Sequence, residues 1–243
     1  MLFDLLNTLA GVMVVGAYLS LAFFFPEKDG RFTQASARLL KALPLIVLAW
    51  AFFAFGNLLA TLANLFELSI VDILDLTTIR SYVTQTSLGK LQMFQVFASI
   101  LLLVISYLIK KTGGAFFGFM LSISGLIAPI FQSHSSQAGS HGLAIGSLII
   151  HVIALSCWVG GVTSLIFMEK EIRHFALKRI SVIASWSVVT VVISGAVSSL
   201  LRLGLASDWF TPYGYLIIAK ILLLGAVALV ATKIRRELKT RLI

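Results

Sequence analysis

The chain has 243 residues, of which 59% are hydrophobic and only 12% charged, with a mean hydropathy of +1.01. Soluble domains carry about 25% charged residues, so a water-soluble globular domain is excluded. The net charge of +9 sits at the ends of apolar runs, where it orients a membrane protein and meets anionic headgroups, so nucleic acid is not an expected partner.

In chain order, the roughly 20-residue spanning rule predicts about seven helices, at 5–25, 42–66, 88–109, 115–131, 142–168, 181–201 and 213–232. The expected fold is an all-α polytopic transmembrane helix bundle, with residues 1–243 forming a single transmembrane domain. The first apolar run carries Asp4 and lacks the basic start of a signal peptide, which predicts an uncleaved first helix. Three loops and the tail alternate with the helices in charge. Lys28, Arg31, Arg38 and Lys41 follow the first helix, and Lys110 and Lys111 follow the third. Lys170, Arg173, Lys178 and Arg179 follow the fifth, and five more basic residues end the chain. That puts 15 of the 19 Lys and Arg residues on one side, with Arg80, Lys90, Arg202 and Lys220 elsewhere. The positive-inside rule then sets the N-terminus outside and the C-terminus in the cytoplasm of a multi-pass membrane protein. The longest outer loop holds Glu67, Asp72 and Asp75.

The segment QSHSSQAGSHGLAIGSLIIHVIALSCWVGG, residues 132–161, carries three of the four histidines. His134 and His141 precede an apolar run and face the exterior, whereas His151 lies inside it, about 14 Å along the helix. Imidazole at that depth is costly in hydrocarbon and points either to a hydrogen bond between helices or to a ligand. All ten acidic residues fall in loops or at helix ends, which weighs against a carboxylate proton relay and a hard-cation site. The remaining donors favour a soft or borderline metal, copper above all. The candidate metal ligands are His134, His151 and His141. About 15 Å of straight helix separates His141 from His151, so His134 is the better partner. Trp158 shares the His151 face at i+7, and Gly160 with Gly161 permits close helix approach. Cys157 is a lone thiol that excludes an intramolecular disulfide and behaves as a small hydrophobe. Gln92 and Gln95 can bond across helices.

Lys220 sits roughly 10 Å into the seventh run. A retinal Schiff base there would need a buried counter-ion, and no helix supplies one. A single intramembrane histidine gives a haem one axial ligand rather than two. Lys220 is therefore expected to serve structure or gating.

The S-H-S element at 133–135 and the H-x6-W-V-G-G element at 151–161 resemble the copper resistance protein D family of bacterial inner-membrane proteins. S-G-A-V-S-S-L-L-R-L-G (194–204) and T-P-Y-G-Y-L-I-I-A-K (211–220) continue the likeness, which is fullest over 115–235. T-Q-T-S-L-G-K (84–90) is similar to the variant fused to a cytochrome oxidase assembly module. The resemblance implies copper movement across, or delivery at, the cytoplasmic membrane, and carries over to His134, His151, Trp158 and Lys220. It also implies a periplasmic copper-binding protein or an oxidase assembly module as a partner. Some relatives hold a histidine in the first helix, where this chain has Asn7. With no P-loop, a copper carrier without ATPase machinery is the leading expectation, and no enzymatic activity is expected. Two other readings stay open. One is a scaffold that delivers copper to a respiratory oxidase. The other is an intramembrane hydrolase pairing Ser147 or Ser156 with His151, since Ser147 and His151 are i, i+4 neighbours.

Overall fold

The structure is a computed structural model that describes residues 2–67, 73–132, 141–168, 170–203, 210–211 and 214–223, with residues 225–226 and 229. The chain forms two compact units, residues 1–195 and 196–243.

The first unit is built around α1, Leu2–Phe23. An amphipathic helix buries one stripe, but α1 buries an unbroken run from Gly11 to Leu21 except Met13, which is half-buried. The helix is therefore enclosed on nearly all sides, packing against α2 (Ala37–Phe66), α5 (Thr112–Ile127) and α6 (His141–Ser164). The second layer is α4, Ser87–Leu108, which packs against both α2 and α5. Its tie to the centre is polar, because Tyr18 OH donates to the Leu102 carbonyl at 3.0 Å. Close approach of α1 and α6 depends on two glycines. A Cβ on Gly16 would overlap the Gly160 backbone, and one on Gly160 would overlap Gly16. Apolar side chains such as Leu45, Phe52 and Phe97 point outward from the bundle, as a hydrocarbon solvent allows.

Among the described residues six helical segments are long and apolar enough to cross a membrane, and they overlap the first six expected spans. In the second unit α8, Gly214–Leu223, falls within the seventh. Two elements differ from expectation. The long segment between the second and third spans contains a short helix, α3, at Leu76–Gln85, which packs on α4. It is amphipathic and too short to span, so a hydropathy window passes over it; its start is capped by Asp75, which accepts from Thr78 N at 3.0 Å. The basic segment after the fifth span is not a loop but the start of α7, Lys170–Leu203. Lys, Glu and Arg are good helix formers, so the helix begins about three turns before the apolar stretch.

The basic segments gather at one end of the first unit. A hairpin of β1 (Glu27–Lys28) and β2 (Arg31–Phe32) follows α1. Arg31 bridges to Lys111 in the α4–α5 turn, and Thr112 N donates to the Gly30 carbonyl at 3.1 Å. Arg179 of α7 donates to the Phe23 carbonyl at 2.9 Å. The charge count reads these three segments as one side, and their contacts make them so.

Candidate metal site on helix α6

His151 is half-buried on α6, ten residues after His141, which opens that helix. Its Nδ1 lies 3.1 Å from Ser194 Oγ on α7. Ser194 has one hydroxyl proton, and its Oγ is 2.6 Å from the Thr190 carbonyl one turn earlier. With its proton on that carbonyl, Ser194 Oγ is placed to accept from the His151 tautomer that carries its proton on Nδ1. In neutral imidazole that leaves the lone pair on Nε2. A hydrogen bond on one ring nitrogen that sets the other as a donor atom is the usual support of a metal-ligating histidine.

The same face of α6 grips Ser194 a second time. Ser147, one turn before His151, donates to the Ser194 main-chain carbonyl at 2.8 Å. Gly195 lies beneath the ring, where an added Cβ would be 3.6 Å from His151 Cε1. Ser147 and Ser194 are buried, so both bonds are shielded from competing water. Ser156, the other serine considered as a nucleophile, donates to the Val152 carbonyl at 2.7 Å. Both serines thus direct a proton to backbone oxygen, as structural serines in helices do.

The remaining expected site residues are less closely assembled. His134 lies outside the described residues, as does the side chain of His141. Its position at the head of α6 keeps it about 15 Å along the axis from His151. Trp158 is half-buried two turns beyond His151. Cys157 is also half-buried; it packs on the α1 core and lines a groove with Ile153, Ile183 and Trp186. Lys220 lies in α8 of the second unit with an exposed side chain. Among the described residues no group of three or more His, Cys, Asp and Glu side chains comes together to hold a metal ion. Of the methionines, Met13 accepts from Thr163 Oγ1 at 3.4 Å, which ties α1 to α6 beside the glycine contact.

A second polar layer lies between α1, α2, α3 and α4, where the glutamines of α4 bond across helices as expected. Asn7 Nδ2 donates to Gln95 Oε1 at 3.0 Å. Tyr82 OH donates to Gln92 Oε1 at 2.8 Å, and Gln92 Nε2 donates to Thr61 Oγ1 at 3.0 Å. Among the described residues, two buried side-chain atoms have no hydrogen-bond partner, Asn7 Oδ1 in this layer and Trp50 Nε1. Sequence reasoning missed Ser194 and Trp50. Ser194 entered only as the first residue of the S-G-A-V-S-S-L-L-R-L-G stretch, with no role given to it, and Trp50 was an aromatic residue mid-span.

An all-α bundle with six long apolar segments and a histidine braced between two of them defines a polytopic helical membrane protein. Two family descriptions match it: "Copper resistance protein D-like, N-terminal domain" over residues 1–144, and "Copper resistance protein D" over residues 175–242. The chain belongs to the copper resistance protein D family and is a multi-pass protein of the inner membrane with a general role in copper handling there. His151, Trp158, Gly160 and Gly161 lie between the two matched stretches. No curated protein and no solved structure matches the chain.

Proposed function

We propose that the protein carries copper across the inner membrane, or delivers it there, with His151 Nε2 as the intramembrane ligand. The observation that carries this reading is the 3.1 Å contact of His151 Nδ1 with Ser194 Oγ, which orients the ring; in the tautomer protonated on Nδ1, Nε2 is the electron-pair donor. Imidazole is a good copper ligand, and two or three nitrogens suit either oxidation state. His134, on the segment leading into α6, is the second ligand; His141 is too far along the helix to share an ion with His151. Trp158 packs on the same stripe and shapes the path, and Lys220 serves structure or gating, since an ammonium cannot act as a ligand and repels a metal ion. The convergence of three basic segments at one end supports a cytoplasmic assignment for that end, with the N-terminus outside. On this reading the ion is cargo and the protein is not an enzyme.

The test is the copper content and affinity of the purified full chain against His151→Ala. Loss of bound copper, or a drop in affinity of at least about tenfold, is the expected result. Unchanged stoichiometry and affinity in folded His151→Ala protein would reject the site.

A further inference from the structure

At the basic end of the first unit, a groove of about 500 Å³ opens where α4 ends and α5 begins. Its walls are Ile105, Leu108, Ile109 and Phe117, and its rim is Lys110 and Lys111. Both ends of an amphiphile are represented: an apolar trough along two spanning helices, and two ammonium groups where those helices leave the hydrocarbon. Among the described residues no carboxylate lines the groove. Both lysines are exposed, and among the described residues neither side chain has an ion-pair or hydrogen-bond partner. The rim is also held in place. Arg31 of the hairpin forms a main-chain β-bridge with Lys111, and Thr112 N is bonded to Gly30, which fixes the turn. The hairpin contributes Glu27 and Asp29 as well as Lys28 and Arg31, so the hairpin itself is balanced and the two rim lysines are the excess.

We propose that this groove is a binding site for an anionic phospholipid, with one acyl chain along Ile105, Leu108 and Phe117 and the phosphate between Lys110 and Lys111. A zwitterionic lipid would fit the trough but would bring its own ammonium to two more. Basic juxtamembrane side chains attract anionic headgroups by coulombic forces that fall off within a Debye length, so both lysines lie within range of a phosphate seated in the groove.

The test uses the purified full chain in detergent, titrated with phosphatidylglycerol or phosphatidylcholine of matched acyl chains and read by native mass spectrometry. The wild type should retain phosphatidylglycerol in preference to phosphatidylcholine. Lys110→Gln with Lys111→Gln should lower phosphatidylglycerol affinity by about 30-fold and leave phosphatidylcholine unaffected. Lys28→Gln with Lys41→Gln removes the same charge from the same end and should retain most of the binding. Soluble glycerol phosphate should displace no lipid. Equal loss in the two double variants would mean diffuse attraction and overturn the site. So would displacement by glycerol phosphate, or an unchanged preference after the rim lysines are removed. Gel filtration and copper binding, which do not depend on this groove, report whether each variant is folded.

Discussion

Among the described residues Trp50 is the largest fully buried side chain, and its indole N–H has no acceptor there. The ring fits because α1 presents Gly11, where an added Cβ would lie 2.9 Å from Trp50 Nε1. A buried unpaired donor costs about 1–3 kcal/mol, which offsets the packing lost when the indole is shortened. Trp50→Phe is therefore expected to change stability by no more than about 1 kcal/mol, against about 3–5 kcal/mol for Trp50→Ala. Thermal unfolding in detergent reads both; a loss above about 2 kcal/mol in Trp50→Phe would show that the N–H has a partner. Ser194→Ala isolates the brace from the ligand at His151. It keeps the imidazole but removes the acceptor on Nδ1, so copper affinity should fall about 10- to 100-fold with His151 still in place. Affinity equal to wild type would mean that the Ser194 hydroxyl does not orient the ring. His151 was legible from the sequence because a lone imidazole in an apolar run stands out. Ser194 was not, because a serine in a helix most often satisfies its own backbone, and its second partner is 43 residues away.

Element positions were legible wherever an apolar run reached spanning length, which is why six spans were found by counting residues. What hydropathy did not carry was α3, whose signal is a cap rather than an apolar run. Asp75 accepts from both the backbone and the hydroxyl of Thr78. The Thr78 side-chain bond first, then the backbone N–H groups of Thr78 and Thr77, hold its carboxyl below the usual carboxylate range. The unfolded chain therefore binds the proton more readily. The cap is fully effective above the ordinary carboxylate pKa and is lost as pH falls through the lowered value. Hydrogen exchange of α3 amides should thus accelerate in Asp75→Ala at neutral pH, while the spanning helices keep their protection. Equal protection of α3 in the two proteins would mean that packing on α4, not the cap, sets its stability. The glycine contact between α1 and α6 makes a sharper demand. Gly160→Ala puts a methyl on the Gly16 backbone and should destabilise by more than about 3 kcal/mol, or prevent assembly, since backbone gives way less readily than a side chain. A Gly160→Ala protein with wild-type thermal stability would show that the two helices are not this close.

For the whole molecule, the charge asymmetry makes one prediction that labelling can decide. With Cys157 replaced by Ala, a cysteine at Lys28 on the hairpin should react only from the cytoplasm and one at Thr77 on α3 only from the exterior. Reaction of both from the same side would invalidate the orientation and, with it, the exterior position of His134. The glycine contact also determines how such a bundle can move. Two backbones in contact, pinned again by Met13 and Thr163, leave no slack for sliding, so α1 and α6 turn together like a shaft and its key. Across α6 the attachment is of another kind: two hydrogen bonds from Ser147 and His151 to a single residue of α7, each of which can be broken and remade within a side-chain rotation. On the proposed copper reading, a rearrangement that changes access to His151 would release the Ser194 latch and leave the shaft intact, so that an ion at Nε2 would sit on the stationary part of the machine.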